Sequence, residues 1–326
     1  MAEFDLPLED LIRYRPDRDE PEDFRQFWKD TLSDSRSRPL DLRADPVDVG
    51  LTRLTTLDVS FNGYQGHRVH AWLILPAEPV AAPLPAVVQY LGYGGGRGWP
   101  GDHLLWASAG YAHLVMDTRG QGSDTRDLGD FSTAAPGEVA FVTRGTQDHR
   151  SYYYRRVLVD AVRAVEAVRE FGAVDAGRVA VCGTSQGGGM ALAVAALEPT
   201  VTALMVDIPF LCHWPRAVRL AERPPYADVA ALLASRPERA ERTLATLRYF
   251  DGVNFAAQAE VPALFSVALM DRTCPPSTVY AAYNHYGGER KAITVYPYND
   301  HEGGGSRQSR MQLDWLGTLM DIGPAQ

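Results

Sequence analysis

Cysteine is scarce in this sequence. Three cysteines in 326 residues, Cys182, Cys212 and Cys274, are too few and too scattered for a disulfide framework. None makes a CxxC pair, so they read as reduced thiols packed like small hydrophobes. No uninterrupted apolar run reaches membrane-spanning length. The opening MAEFDLPLED is acidic where a secretory signal would carry an apolar core. The expectation is a cytoplasmic chain with no membrane partner. Basic clusters are missing too: 32 Lys and Arg face 41 Asp and Glu, a formal charge of −9. That balance argues against nucleic acid and anionic lipid surfaces, both of which demand positive patches. There is no internal repeat and no low-complexity tract.

What is present is ordinary globular material, 45% hydrophobic and 22% charged, enough to bury a large core. The length suits one α/β domain over residues 1–326 with insertions. Residues 1–45 form a polar extension with one amphipathic helix: in EPEDFRQFWKDTL, Phe24, Phe27, Trp28 and Leu32 recur at helical spacing after Pro21. RLTTLDVSF and HRVHAWLILP then flank the turn-rich NGYQG, a hairpin pattern. From Pro85 apolar strands alternate with helices. PAVVQYL, YAHLVMD, RVAVCG, TALMVDI, PALFSVALM and KAITVYPY are mostly continuous apolar runs, as expected of strands covered on both faces. The pattern predicts an α/β fold with about eight strands, antiparallel at one edge and parallel afterwards. Two stretches break the alternation. One is the loop from Gly122 to Arg150. The other is residues 209–260, a helical insertion before the strand that ends at Asp271.

One turn carries chemistry. Gly183-Thr184-Ser185-Gln186-Gly187 lies between the strand RVAVCG and the helix GGMALAVAALE, matching the G-x-S-x-G nucleophile elbow in its required context. The glycines relieve crowding of strand against helix, and the helix dipole favours negative charge developing near the serine. A serine hydroxyl needs a base, and the base an orienting carboxylate. In an α/β-hydrolase fold these follow in the order Ser, Asp, His at successive strand ends. Asp271 ends PALFSVALMD, and His301 follows KAITVYPYND. Asp207, within the preceding strand, Asp251, in the insertion, and Asp300, beside His301, are weaker candidates. Oxyanion donors should be the backbone N–H of Gln186 and one from QYLGYGGGRG, where chemistry leaves Gly92 to Gly95 open. No metal or other cofactor is needed: Asp300-His301-Glu302 lacks the spacing of a usual metal site.

At these residues the chain resembles carbohydrate esterase family 7, the acetyl xylan esterases and cephalosporin C deacetylases. The matching pieces are RGQG (119–122), GTSQGGG (183–189) and HEGGG (301–305), with QYLGYGGGRG, SYYYRRV, FLCHWPRAV, YFDGVNFA and LMDRTCPPSTVYAAYN also similar. The resemblance implies an α/β-hydrolase fold in which Ser185, Asp271 and His301 are nucleophile, charge partner and base. It implies that Tyr93 supplies the second oxyanion N–H beside Gln186, that RGQ supports the active-site loops, and that Pro225 shapes the acyl pocket. It further implies deacetylation of xylooligosaccharides, sugar acetates and cephalosporin C, inside a homohexamer whose inward-facing sites limit substrate size. Two other readings compete: a hydrolase of other short esters, lactones or peptides, and a catalytically silent carbohydrate-binding relative.

Overall fold

The computed structural model describes residues 4–77, 83–122, 124–129 and 140–321. Its nine strands form one sheet: β1 (Arg43–Val47), β2 (Leu54–Asn62), β3 (Arg68–Pro76), β4 (Leu84–Tyr90), β5 (Ala112–Met116), β6 (Val174–Thr184), β7 (Ala203–Asp207), β8 (Ala263–Ala268) and β9 (Lys291–Tyr296). The spatial order is β1-β2-β3-β5-β4-β6-β7-β8-β9. β1, β2, β3 and β5 pair antiparallel, and every pairing from β5 through β4 to β9 is parallel.

The sheet therefore has one strand more than the eight expected. The extra one is β1, RADPV, which the polar composition of residues 1–45 conceals. Four of its five residues are exposed and it contains a proline, the chemistry of an edge strand rather than a core one.

The helices are α1 (Leu8–Leu11), α2 (Phe24–Arg36), α3 (Leu105–Ser108), α4 (Tyr153–Arg169), α5 (Gln186–Leu197), α6 (Trp214–Leu220), α7 (Tyr226–Ser235), α8 (Ala240–Leu247), α9 (Gly252–Ala256), α10 (Pro276–His285) and α11 (Gly305–Leu319). Residues 209–260 thus contribute α6 to α9 between β7 and β8. Of the loop expected over 122–150, residue 123 and residues 130–139 lie outside the described residues. Among the described residues, no helix is long and apolar enough to cross a membrane.

The parallel strands are mostly apolar on both faces because alternate side chains enter two different cores. Val88, Val181, Leu204 and Phe265 join the larger cluster with α4 and α5, whereas Val87, Cys182, Met205 and Leu264 join a smaller one with Trp106 and Leu316. Helix α4 buries a face built from Val157, Leu158, Ala161, Val165 and Val168. Helix α5 is apolar all round and almost wholly buried, so it passes directly behind the sheet.

Helix α2 docks through the stripe read from its sequence. Trp28 packs edge-on against Phe250 and Phe255, with ring centroids 5.5 Å apart in both cases, and Phe24 meets Phe255 at 5.2 Å. The Trp28 indole N–H donates to the Tyr249 carbonyl at 3.0 Å, so its polar edge is satisfied as its ring is buried. Trp28→Ala should lower unfolding free energy by about 3–5 kcal/mol, the usual cost of truncating a buried tryptophan. Urea denaturation checks this; a loss below about 1 kcal/mol would show the extension to be weakly docked.

Candidate active site

β6 ends at Thr184 and α5 begins at Gln186, leaving one residue for the turn. Ser185 takes φ 57° and ψ −118°, a conformation that side-chain-bearing residues rarely adopt. Crowding explains both the strain and the neighbouring glycines. A Cβ on Gly183 would lie 2.2 Å from the Gly187 carbonyl carbon, and one on Gly187 would lie 2.1 Å from the Tyr90 oxygen. The Ser185 backbone is held from one side: its N–H donates to the Asp207 carbonyl and its carbonyl accepts from the Phe210 N–H, each at 2.9 Å.

Three distant segments meet at this turn. His301, on the loop after β9, places Nε2 3.0 Å from Ser185 Oγ and Nδ1 2.8 Å from Asp271 Oδ2. Asp271 follows β8 and is fully buried, whereas the His301 side chain keeps 29% of its surface. The other Asp271 oxygen accepts from the N–H groups of Thr273 (2.8 Å) and Cys274 (2.9 Å), which fixes the carboxylate plane. A carboxylate at Nδ1 selects the tautomer with the proton there, which leaves Nε2 free to accept from the serine.

The competing carboxylates are engaged elsewhere. Asp207 accepts from Ser266, Gln308 and Gln312. Asp251 accepts from the N–H groups of His213, Trp214 and Val253, with burial raising its pKa to about 6. Asp300 pairs with Arg223 at 2.8 Å.

Among the described residues, one group could supply three donor atoms to a metal: Asp271, Cys274 and His301, all within 4.8 Å of one another. These include the carboxylate and imidazole that line up on Ser185, so an ion there would compete with that alignment. The Cys274 thiol is fully buried and its pKa is pushed up by that burial.

The Gln186 N–H opens α5 and has no carbonyl within the helix to bond. Its side chain carries a second task that sequence reasoning missed. Gln186 Oε1 accepts from Tyr154 and from Gln121 Nε2, both at 2.8 Å, and its Nε2 donates to the Leu91 carbonyl at 3.2 Å. Gln121 Oε1 in turn accepts from the Gly94 N–H at 2.7 Å, next to Tyr93. Gln121 therefore ties the 91–95 loop to the start of α5. The Tyr93 hydroxyl accepts from the Val142 N–H, and its ring meets Phe141 and Phe210 at 6.3 and 6.4 Å. Pro225 is buried at the start of α7 after a cis peptide bond. Its neighbour Tyr226 packs on Phe210, with centroids 4.4 Å apart.

Comparison with known proteins now bears on this geometry. The family model described as acetyl xylan esterase (AXE1) matches residues 1–319. The chain belongs to the acetyl xylan esterase family. The acetyl xylan esterase from Paenibacillus sp. R4 is 37% identical, with a TM-score of 0.91 over 96% of this chain and 99% of that one. Acetyl xylan esterase 1 from Thermoanaerobacterium sp. is 33% identical, with a TM-score of 0.88 over 97% and 99%. Acetyl esterase Axe7A of Xylanibacter ruminicola is 27% identical over 88% of this chain, which spans 65% of that protein's length. A fungal protein described as an α/β hydrolase, 20% identical with a TM-score of 0.59, shares the fold. The fold is that of the α/β hydrolases.

The RGQG segment on which the family likeness partly rests begins with Arg119, which is completely buried. Its guanidinium donates twice to Asp160, at 2.6 and 2.8 Å, and lies 3.6 Å from Asp127, itself paired with Arg156 at 3.0 Å. Two arginines and two carboxylates thus close a buried network beneath Gln121. Asp160→Ala would leave Arg119 buried without its bidentate partner, at a cost of about 3–5 kcal/mol. The midpoint of urea unfolding reads this loss; a shift equivalent to under about 1 kcal/mol would mean that water enters and solvates the guanidinium.

Proposed function

We propose that this chain is an acetyl esterase that removes acetyl groups from small carbohydrate esters, xylooligosaccharide and sugar acetates among them, and from cephalosporin C. The observation that carries the reading is the unbroken line from Asp271 through His301 to Ser185, at 2.8 and 3.0 Å. The names of the similar proteins, acetyl xylan esterases and an acetyl esterase, support the acyl group and the sugar.

In the proposed cycle His301 Nε2 takes the Ser185 proton as Oγ attacks the acetyl carbonyl. Asp271 stays ionised and stabilises the imidazolium. The N–H groups of Tyr93 and Gln186 receive the oxyanion, and each such donor is worth about 3 kcal/mol in the transition state. His301 then protonates the departing sugar alcohol. Water, deprotonated by the same nitrogen, releases acetate and restores the serine. Pro225 belongs to the wall of the acyl pocket in this reading. The three free, buried cysteines suit a reducing cytoplasm. A homohexamer belongs to the same proposal through the family resemblance, and light scattering of the purified chain tests it.

Ser185→Ala should fold with an unchanged unfolding midpoint while acetyl-ester turnover drops by a factor of roughly 10⁴ or more. Turnover within tenfold of the parent enzyme would remove the serine mechanism. A series of p-nitrophenyl esters should show kcat/KM highest for acetate and falling steeply with acyl length; a maximum at butyrate or beyond would refute the acetyl preference.

A further inference from the structure

Asp207 is the last residue of β7, and it touches both halves of the proposed machinery without belonging to either. Its backbone carbonyl receives the Ser185 N–H at 2.9 Å. Its carboxylate reaches the helix that follows the His301 loop. Oδ1 accepts from Gln308 Nε2 at 2.9 Å and Oδ2 from Gln312 Nε2 at 2.7 Å, both glutamines lying on α11. These glutamines are 2% and 7% exposed, one helical turn apart on the same face. Oδ1 also accepts from Ser266 of β8, directly opposite in the parallel register. Gln308 Oε1 accepts from the hydroxyl of Tyr296 on β9 at 2.8 Å. β8 and the first turns of α11 thus meet on the Asp207 carboxylate, and β9 joins them through Gln308.

The connection between α11 and His301 is short. Gly305 opens the helix, and Gly303 and Gly305 take φ of +59° and +51°. Gly304 lies so near Tyr296 that a Cβ there would meet the ring at 2.0 Å. A Cβ on Gly303 would lie 3.6 Å from the side chain of Ile208, the residue after Asp207. A glycine loop has little stiffness of its own. The segment that carries His301 is held by β9 before it and α11 after it, and between them by Asp300, which pairs with Arg223 at 2.8 Å, and by the Asn299 carbonyl, which accepts from the Met270 N–H at 3.1 Å. Burial raises the Asp207 pKa to about 6, the hydrogen bonds from Ser266, Gln308 and Gln312 offsetting only part of the cost of the ionised form. Asp207 borders a cleft of about 280 Å³ lined also by Gln89, His113, Cys182, Thr184 and Gln312.

We propose that Asp207 is a positioning residue for the esterase reaction: one residue that fixes the nucleophile turn through its backbone and the histidine loop through its carboxylate, thereby setting the His301–Ser185 distance. The inference rests on the serine mechanism proposed above. It differs from the role of Asp271, which faces the imidazole itself. A misplacement of about 1 Å between reacting groups costs roughly a hundredfold in rate.

The test uses the full chain, a fluorophosphonate that reacts with Ser185 only when His301 activates it, and p-nitrophenyl acetate. Asp207→Ala should be phosphonylated roughly ten- to a hundredfold more slowly, with kcat falling equally and KM staying within about twofold. Gln308→Leu with Gln312→Leu, which cuts the same bonds from the other side, should give part of that loss. The triple variant should be no slower than Asp207→Ala, because all three changes remove one connection. A purely structural role would lower the melting temperature and leave the rate per folded molecule unchanged. Wild-type phosphonylation rate in folded Asp207→Ala overturns the proposal, and should that variant not fold, the same result in the double glutamine variant does so. If the unaltered protein is not labelled at Ser185, the serine mechanism fails instead, and the two failures are told apart.

Discussion

The turn at Ser185 is the constraint on which the site is built. A strand must become a helix within one residue, under the carbonyls of Tyr90 and Phe210, and only glycines at 183, 187 and 189 let the backbones approach so closely. The geometry presses the serine into a strained conformation, and that strain sets its hydroxyl at the top of the sheet rather than within it. The hydrogen bond that the Ser185 N–H donates to the Asp207 carbonyl, and the one its carbonyl accepts from the Phe210 N–H, keep the turn from relaxing. Everything else around it is arranged relative to that fixed hydroxyl: an imidazole from beyond β9, a carboxylate from beyond β8, and a glycine loop from beyond β4.

Much of this was legible in the sequence because parallel sheets put chemistry where strands end. Largely apolar runs of six to nine residues located β4 to β9, and the polar residues just past them, Ser185, Asp271 and His301, are the ones that come together. The rule works because a strand end is a topological position, readable along the chain without knowing any side-chain direction. β1 escaped the same reading. An edge strand buries little, so its sequence carries no hydrophobic signal.

Side-chain networks were illegible for a different reason. Gln121, Tyr154 and Gln186 form one hydrogen-bonded cluster, yet 65 residues separate Gln121 from Gln186 and no periodicity links them. Asp207 and Asp271 posed a related difficulty. Both sit at or just past strand ends, and only their hydrogen-bond partners reveal that one faces α11 and the other the imidazole. His113, within β5, is a further case. It is buried between the His103 carbonyl and Gln89, with its pKa lowered to about 3 by burial.

Gln186 has a consequence for how such a molecule can diverge. Its main chain opens the helix behind the serine, while its amide grips Gln121 and the Leu91 carbonyl. One codon is thereby answerable to two requirements, and a replacement that suits either alone is penalised by the other.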